Sequence, residues 1–360
     1  MKLACIVGAR PNFVKMAALI QEIRRRPALG YTLIHTGQHY SPEMSQAFFD
    51  ELELPAPDLN LEVGSGSATA QTAEMLKRLE PALEQAAPDL VVVVGDVNST
   101  LAGALVAARL GLPVAHVEAG LRSFDRSMPE EINRVLTDAL CQLLFVTEPS
   151  GERNLLGEGV APSRIHFTGN VMIDTLLRFR ARAGESRVLE DLNLPPGGYA
   201  VATLHRPSNV DSAAALTGLV DALRQIGRQL PVVFPVHPRT SQALAAAGLG
   251  LAGIRAVPPL GYLDFLCLMS RARLVLTDSG GIQEETTILQ VPCLTVRNST
   301  ERPITVEQGT NRLVGSDPAR IVEAARQALE SSPPTGRVPP LWDGGAAARI
   351  LDVIESGPLS

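Results

Sequence analysis

Three carboxylates occur where the sequence predicts the end of a strand or the start of a helix. Asp96 follows the apolar run Leu90–Val94, Glu118 follows Val114–Val117, and Glu130 belongs to a Pro-Glu-Glu segment. Carboxyl groups at strand ends are partly desolvated, which raises their pKa towards values useful for proton transfer. We therefore expect Asp96 and Glu118 to serve acid–base chemistry, although Asp96 could instead only order its own loop through local hydrogen bonds.

Glu130 has a competing structural interpretation. The segment Ser127-Met128-Pro129-Glu130 matches a capping box, with proline in the first turn of the helix. From the residues alone, this pattern predicts that Glu130 stabilises a helix start and takes no part in chemistry.

The segment Thr277–Glu285, TDSGGIQEE, is predicted to open a helix directly after an apolar strand. Its Ser279-Gly280-Gly281 turn would present free backbone N–H groups and the positive end of the helix dipole, which suits a diphosphate. The alternative is that Asp278 or Ser279 only caps the helix. The spacing differs from that of dinucleotide-binding turns and of P-loops, so neither NAD nor ATP is expected as a cofactor.

Basic and histidine side chains follow several of the same predicted strands. Arg10 is expected on the loop after the first strand and Lys15 in the helix that follows, while Arg302 lies in the segment TERPIT. These cations could bind an anion or form ordinary surface ion pairs. His205 and His237 follow later strands and could equally be solvated loop residues.

Two further features of the sequence bear on cofactors and on base stacking. No pair of histidines is predicted to lie on one helix as in a helical metal site, so no metal is expected. Phe265 lies in an apolar segment, Tyr262–Met269, and its pattern favours a place in the core over a platform for a base.

Apolar runs that alternate with helical patterns predict the elements that position these side chains. Strands that are apolar throughout are typical of parallel sheets covered by helices on both faces. The predicted strands are Leu3–Val7, Tyr31–His35, Leu90–Val94, Val114–Val117, Leu143–Thr147, Ile165–Thr168, Tyr199–Thr203, Val232–Val236, Ile254–Val257, Leu274–Thr277 and Cys293–Val296.

The same alternating pattern occurs in both halves of the chain, which predicts two doubly wound α/β domains. We expect an N-terminal Rossmann-like domain over residues 1–172 and a C-terminal one over 173–340. A proline-rich stretch, Ser331–Pro340, precedes a helix predicted from Gly344 to Ile354 with Asp343 as its cap, and residues 341–360 are expected to pack back on the first domain. Ligands of such sheets bind at the carboxyl ends of the strands, so we expect a cleft between the domains.

The composition excludes several classes of protein. The 360 residues carry 32 Lys and Arg against 38 Asp and Glu, a formal charge of −6, so no nucleic-acid partner is expected. No apolar run approaches the roughly 20 residues that a membrane span needs, and the N-terminus does not resemble a secretory signal. Four widely spaced cysteines in apolar surroundings suit reduced thiols, and we expect a cytoplasmic protein.

Taken together, the motifs resemble the non-hydrolysing UDP-N-acetylglucosamine 2-epimerases, a family with the GT-B fold. The likeness runs over nearly the whole chain. It is carried by GARPNFVK from Gly8, TGQHY from Thr36, GDVNST from Gly95, HVEAGLRS from His116, PEEINR from Pro129, GNVMIDTL from Gly169, TLHRPSN from Thr203, VHPR from Val236, TDSGGIQEE from Thr277, TERPIT from Thr300 and GTNRLVG from Gly309.

The resemblance implies reversible interconversion of UDP-GlcNAc and UDP-ManNAc, with UDP and 2-acetamidoglucal formed transiently. It implies acid and base roles for Asp96, Glu118 and Glu130, which would overrule the structural interpretation of Glu130. A UDP-sugar would be the small-molecule partner, and the protein would be a homodimer without a cofactor.

The resemblance also implies binding roles for residues of both domains. The diphosphate would be stabilised by Arg10 and His205 with the Ser279-Gly280-Gly281 helix start. Glu285 would bind the ribose hydroxyls, Arg302 the phosphate or sugar region, and His237 with Phe265 the uridine end.

Two departures from the family pattern put regulation by a second UDP-GlcNAc molecule in doubt. Ile304 stands where relatives often have glutamate, and Pro207 and Ser208 stand where many have a polar residue and glutamate. Three other functions stay open: a GT-B glycosyltransferase that uses a UDP-sugar, a UDP-sugar sensor without catalysis, and an epimerase of another UDP-2-acetamido sugar such as a diacetamido uronic acid.

Overall fold

The computed structural model describes residues 1–37, 48–331 and 336–357. Gln38 to Tyr40 of the TGQHY motif and residues 332–335 of the proline-rich stretch lie outside the described residues. Contacts divide the chain into unit 1, Met1–Arg178 with Pro340–Ser360, and unit 2, Phe179–Pro339. The boundary between Arg178 of unit 1 and Phe179 of unit 2 lies inside the helix Val171–Ala183.

Unit 1 is built on a parallel sheet of seven strands in the order β3-β2-β1-β4-β5-β6-β7. The strands are β1 Lys2–Val7, β2 Gly30–His35, β3 Leu59–Asn60, β4 Leu90–Val94, β5 Val114–Ala119, β6 Leu143–Val146 and β7 Ile165–Phe167. The helices are α1 Arg10–Ile23, α2 Ala68–Ala86, α3 Asn98–Arg109, α4 Pro129–Leu140, α5 Pro149–Gly157 and α6 Val171–Ala183, with a 3-10 turn at Pro162–Arg164. The strand order reverses after β1, as in Rossmann folds.

Unit 2 contains a second parallel sheet, of six strands in the order β10-β9-β8-β11-β12-β13. The strands are β8 Ala200–Thr203, β9 Val232–Pro235, β10 Arg255–Val257, β11 Leu274–Thr277, β12 Cys293–Thr295 and β13 Asn311–Leu313. The helices are α7 Val188–Asp191, α8 Pro207–Val210, α9 Ala213–Gly227, α10 Pro238–Ala246, α11 Tyr262–Ser270, α12 Gly280–Leu289, α13 Ile304–Glu307 and α14 Pro318–Glu330. The predicted α/β class with two parallel sheets is confirmed.

Each sheet is covered by helices that bury their apolar faces. In unit 1 one core cluster joins Ile6, Val93 and Val146 of the strands to Leu79 and Leu83 of α2. The corresponding cluster of unit 2 is formed around Leu276 and Phe234 with Leu219 and Leu223 of α9. The four cysteines are buried and free of disulfides, as expected. Within the described part of the chain, no helix is both long and apolar enough to cross a membrane.

The last helix, α15 Ala346–Glu355, belongs to unit 1 and contacts α1. Its predicted cap is wrong: the helix begins at Ala346, Gly345 is the N-cap, and Asp343 accepts a bond from Gly345 N instead. The helix start is served by Asp174 of α6, whose Oδ2 accepts the N–H of Ala347 at 2.7 Å. A carboxylate at this end satisfies a backbone donor and complements the helix dipole.

Candidate functional site

Glu118 lies at an irregularity of β5. The register between β5 and β6 shifts between Val117 and Ala119, and Glu118 has a φ of +76°, in the left-handed region. Bulges and left-handed backbone in a residue with a side chain are strained, and such strain is concentrated at functional sites because it aims a side chain. The Glu118 side chain is buried, and its Oε1 lies 2.7 Å from Lys15 Nζ.

For Lys15 the sequence left two alternatives, an anion-binding role or a surface ion pair, and the structure shows an ion pair with Glu118 that is buried. The Lys15 side chain is only 3% exposed. Gly95 leaves room for it, because a Cβ at Gly95 would lie 2.8 Å from Lys15 Nζ. One turn earlier in α1, Asn12 accepts bonds from the N–H groups of Gly8 and Ala9 and donates to the carbonyl of Val94. The lysine–glutamate pair therefore sits in a fixed frame between α1, β4 and β5.

Arg10 is the first residue of α1, so its predicted place on the loop before the helix is wrong. The guanidinium lies 4.8 Å from the centre of the Phe48 ring, a cation–π geometry. Partial burial lowers the pKa of Arg10, with Glu51 opposing the shift, and the group remains a cation at any physiological pH.

Asp96 follows β4 and is held by two residues of α4. Its Oδ2 lies 2.8 Å from Arg134 Nη1, and its backbone carbonyl accepts a bond from Asn133 Nδ2. The Asp96 side chain is 19% exposed, whereas that of Arg134 is 2% exposed. The carboxylate thus keeps access to solvent while its partner is buried.

Glu130 is half-buried in the first turn of α4, and its side chain makes no hydrogen bond or ion pair with the residues that the structure describes. The predicted capping box does not form, because Ser127 Oγ and Ser127 N both donate to Asp125 and Met128 is the N-cap. Pro129 does open the helix, as predicted. The structural explanation that the sequence offered for Glu130 is therefore wrong.

Glu131, which the sequence analysis did not single out, stabilises the loop before this helix start. Its buried carboxylate accepts the N–H groups of Ser123 and Phe124 and the Ser123 hydroxyl, and it lies 2.9 Å from Arg134 Nη2. The sequence pattern gave no signal for it, because α4 buries its polar residues and exposes two apolar ones, Ile132 and Leu136; the buried polar residues are Glu131, Asn133, Arg134, Thr137 and Asp138. An amphipathic helix whose polar face points inward supports a polar site.

In unit 2 a buried aspartate organises the loop that follows β8. Asp278 is fully buried and accepts the N–H groups of His205 and Arg206, while its Oδ1 lies 2.8 Å from His205 Nδ1. Burial pushes the pKa of Asp278 upward, but the hydrogen bond and charge of His205 and the two backbone N–H groups outweigh it and lower the pKa. An ionised Asp278 fixes the tautomer of His205, so that Nε2 faces outward from a ring that is 39% exposed.

The predicted helix start after β11 is present, with Ser279 as N-cap of α12. Neither Asp278 nor Ser279 caps it through a side chain: no side-chain cap bond exists, and Asp278 is bound to the His205 loop. A Cβ at Gly280 would lie 2.3 Å from Arg302 Nη1, so glycine is required for the arginine to approach. Backbone N–H groups in the first turn of α12 thus lack intrahelical partners, as an anion site requires.

Behind this helix start lies a group of buried charges, which we call the arginine–glutamate cluster: Arg206, Arg297, Arg302, Glu284 and Glu301. Arg302 lies 2.9 Å from Glu284 and 2.5 Å from Glu301, and Arg297 lies 2.6 Å from Glu301. Arg206 lies 3.5 Å from Glu301. Three guanidinium groups against two carboxylates leave one positive charge in excess.

Glu285 lies beside this cluster on α12. Burial, together with the charge of Glu284, raises its pKa to about 8, and Tyr262 Oη lies 3.4 Å from its Oε1. At pH 7 the Glu285 side chain is therefore mostly a neutral acid, which both donates and accepts hydrogen bonds. It does not cancel the positive excess of the cluster.

His237 and Phe265 lie on two other elements of unit 2. His237 is the N-cap of α10, where its Nδ1 accepts the N–H of Arg239, and its ring lies 5.6 Å from that of His205. Phe265, on α11, is half-buried. In the described residues, no group of three or more His, Cys, Asp or Glu side chains could hold a metal ion.

Comparison with known proteins assigns the chain to a family. The family model described as UDP-N-acetylglucosamine 2-epimerase matches residues 21–355. The chain belongs to this family. A UDP-N-acetylglucosamine 2-epimerase homolog of Methanococcus maripaludis is 46% identical over 330 residues, which cover 90% of this chain and 91% of the relative. The UDP-2,3-diacetamido-2,3-dideoxy-D-glucuronate 2-epimerase of Pseudomonas aeruginosa is 42% identical, over 98% of this chain and 99% of the relative.

A solved structure extends the likeness to three dimensions. The crystal structure of the Methanocaldococcus jannaschii UDP-GlcNAc 2-epimerase in complex with UDP-GlcNAc and UDP superposes with a TM-score of 0.94 at 42% identity, over 99% of this chain and 100% of that chain. The expected family and the expected GT-B fold are both confirmed. The strand-end carboxylates of unit 1 and the arginine–glutamate cluster of unit 2 therefore belong to a chain with the fold of this epimerase family.

Proposed function

We propose that the protein catalyses the reversible C2 epimerisation of UDP-GlcNAc to UDP-ManNAc. The observation that carries the proposal is a pair of carboxylates on neighbouring strands in a chain of this family: Asp96 follows β4, and Glu118 lies near the end of β5. Each has a cationic partner from a helix of the same unit, at 2.8 and 2.7 Å.

The chemistry follows from the position of the hydrogen that must move. The C2 hydrogen of the sugar is not adjacent to a carbonyl group, so it cannot be removed simply as an acidic α-proton. Breaking the anomeric C–O bond as the C2 proton leaves gives UDP and 2-acetamidoglucal. UDP then adds back to C1 while C2 receives a proton on the opposite face, which completes the inversion.

Unit 1 supplies the groups for proton transfer in this proposal. Asp96, Glu118 and Glu130 handle the protons on the two faces of C2, and we do not divide acid and base among them. A carboxylate fixed by a neighbouring cation keeps its orientation through the reaction, which lowers the cost of reaching the transition state.

Unit 2 supplies the groups that bind the nucleotide. The Ser279-Gly280-Gly281 helix start stabilises the departing diphosphate with His205 and with Arg10 of unit 1, and Lys15 supports Glu118. Glu285 binds the ribose hydroxyls, Arg302 supports the phosphate or sugar region, and His237 with Phe265 holds the uridine end. The positive excess of the arginine–glutamate cluster favours an anionic ligand at this helix start.

A second candidate substrate has its own support. The Pseudomonas aeruginosa relative acts, by its name, on UDP-2,3-diacetamido-2,3-dideoxy-D-glucuronate, and it is as similar to this chain as are the relatives named for UDP-GlcNAc. The elimination is the same for both sugars, because it uses only C1 and C2.

The proposal includes the setting of the enzyme. We propose a cytoplasmic homodimer that needs no cofactor and uses a UDP-sugar as its small-molecule partner. The four buried, unpaired cysteines are consistent with a reducing compartment.

Incubation with UDP-GlcNAc in deuterium oxide, followed by NMR of C2, tests the proposal. We expect deuterium at C2 together with a growing UDP-ManNAc signal, without any acceptor. The diacetamido uronate, run in parallel, identifies the preferred sugar. A spectrum that stays unchanged with both sugars would contradict epimerisation; turnover only with an added acceptor would indicate a glycosyltransferase, and UDP binding without exchange would indicate a sensor.

A further inference from the structure

A buried histidine contacts the backbone next to one of the two strand-end carboxylates of unit 1 and lies on the same strand as the other. His116 is on β5 and is fully buried. Its Nδ1 lies 2.6 Å from Asp138 Oδ1 on α4, and its Nε2 lies 2.8 Å from the backbone carbonyl oxygen of Gly95. Gly95 directly precedes Asp96 and has a φ of +70°.

The partners of His116 fix the orientation of its ring. A carbonyl oxygen can only accept, so Nε2 donates to Gly95. Asp138 also accepts the N–H of Gly120 at 3.0 Å and lies 2.7 Å from Arg122 Nη2. Burial raises the pKa of Asp138, but His116 and Arg122 outweigh burial and lower this pKa below its ordinary value. The Asp138 carboxylate and the Gly95 carbonyl thus hold the two nitrogens of one ring.

A chain of side chains continues from His116 towards the surface. His116 contacts Asp138, Asp138 pairs with Arg122, and both nitrogen atoms Nε and Nη2 of Arg122 donate to Glu158 at 2.7 Å. The buried charges of Asp138 and Arg122 are tolerated because each has a partner of opposite sign.

We propose that His116 is a positioning residue for the two catalytic carboxylates. Its Nε2 fixes the Gly95 carbonyl and thereby the turn that presents Asp96, while Asp138, which it orients, fixes Gly120 on the other side of Glu118. A single buried pair thus sets the backbone on both sides of the site. This inference rests on the proposed function, since it concerns the same two carboxylates.

Two substitutions separate the two hydrogen bonds of the ring. His116→Gln keeps a long amide donor that can reach Gly95, whereas His116→Asn is too short to reach it and keeps a donor only for Asp138. We expect His116→Asn to lower kcat on the order of 100-fold, because a misplacement of about 1 Å has this effect on positioned groups. We expect His116→Gln to recover most of the activity. For both variants, KM and the affinity for UDP should stay within about threefold.

Tyr199→Phe is the matched control. Tyr199 is fully buried in unit 2, and its hydroxyl donates to the backbone carbonyl of Leu268 at 2.6 Å. Tyr199→Phe removes a buried hydrogen bond to a backbone carbonyl, as His116→Asn does, but it should leave kcat unchanged. Wild-type kcat in His116→Asn, or an equal loss of kcat in the control at equal stability, would overturn the proposal.

Crystal structures of the two variants provide a test that needs no activity. The Gly95–Asp96 backbone should move by about 1 Å in His116→Asn and stay in place in His116→Gln. An unmoved backbone in His116→Asn would overturn the inference even if this variant has lost activity. If the wild-type protein shows no exchange at C2, the proposed function fails, while this measurement still judges the positioning role of His116 separately.

Discussion

In unit 1, the two strand-end carboxylates each face one cation: Glu118 faces Lys15 and Asp96 faces Arg134. In unit 2, five charged side chains share one buried group, and the arginines outnumber the glutamates. The first arrangement fixes the direction of single carboxylates, as proton transfer requires. The second places positive charge behind a helix start. This arrangement stabilises a diphosphate better than it would orient a single group for proton transfer.

Removal of a single acid in unit 1 should give the largest effect. We expect Asp96→Asn and Glu118→Gln each to lower kcat about 10³-fold, since positioned acid–base groups contribute 10²–10⁴-fold. Affinity for UDP should stay within a few-fold, because binding is assigned to unit 2. Deuterium exchange at C2 and calorimetry with UDP measure the two quantities. A variant with wild-type exchange would remove that residue from the proposed chemistry.

Removal of Lys15, the cation of the buried pair with Glu118, should have the second largest effect. We expect Lys15→Met to lower the free energy of unfolding by about 3 kcal/mol or more, because it leaves the carboxylate of Glu118 buried without its cation. The double variant Lys15→Met with Glu118→Gln should be more stable than Lys15→Met alone. Chemical denaturation measures both values.

The exposed pair of Arg326 and Glu323 offers the control for the Lys15 variants. Arg326→Ala should change stability little, since ions at a solvated surface gain little from pairing. A double variant less stable than Lys15→Met would show that Lys15 contributes through packing instead of charge.

A methyl group at the helix start of unit 2 should have an intermediate effect. In Gly280→Ala the new Cβ would displace Arg302, with which it would overlap at 2.3 Å. Overpacking of this kind costs typically 1–3 kcal/mol. We expect weaker UDP binding, by about tenfold. Gly250→Ala, where a Cβ would meet nothing within 4 Å, is the control for the loss of a glycine. Unchanged UDP affinity in Gly280→Ala would separate the helix start from nucleotide binding.

The protonation of Glu285 predicts the smallest effect, a pH dependence of stability. Its pKa is about 8 in the folded protein, against 4.5 for an ordinary glutamate in water. Between these values the unfolded chain releases the proton while the folded protein keeps it, so this group destabilises the fold progressively as the pH rises. Glu285→Gln removes the penalty. The Tm of the variant relative to wild type should rise by a few degrees from pH 5 to pH 8 and then level off; a constant difference would show that Glu285 does not titrate in this range.

The sequence predicted the sheets well because their central strands are continuous apolar runs. Leu90–Val94 and Leu274–Thr277 have the predicted bounds. The edge strands Leu59–Asn60 and Asn311–Leu313 were missed, since they are two and three residues long and include polar residues. Short strands at an edge are held by their neighbours more than by their own composition.

The pairing of site residues was less accessible to sequence reasoning. Lys15 and Glu118 are 103 positions apart, and only the strand order β1-β4-β5 brings them together. The Ser127 capping box fails because the helix begins one residue later than predicted, with Met128 as N-cap, and Ser127 Oγ donates to Asp125 instead. Glu131 and Arg134 were not accessible from the pattern of α4, because an amphipathic helix is expected to bury Ile132 and Leu136, whereas the structure exposes both.

The bond between Asp174 and the start of the last helix has a consequence for synthesis of the chain. Because residues 340–360 belong to the unit that is made first, that unit stays incomplete while the whole of the other is translated. The nascent N-terminal half must remain soluble, with the face of α1 that receives the final helix uncovered, until the last segment leaves the ribosome. Premature termination near residue 340 would therefore leave unit 1 incomplete, although most of that unit had been translated first.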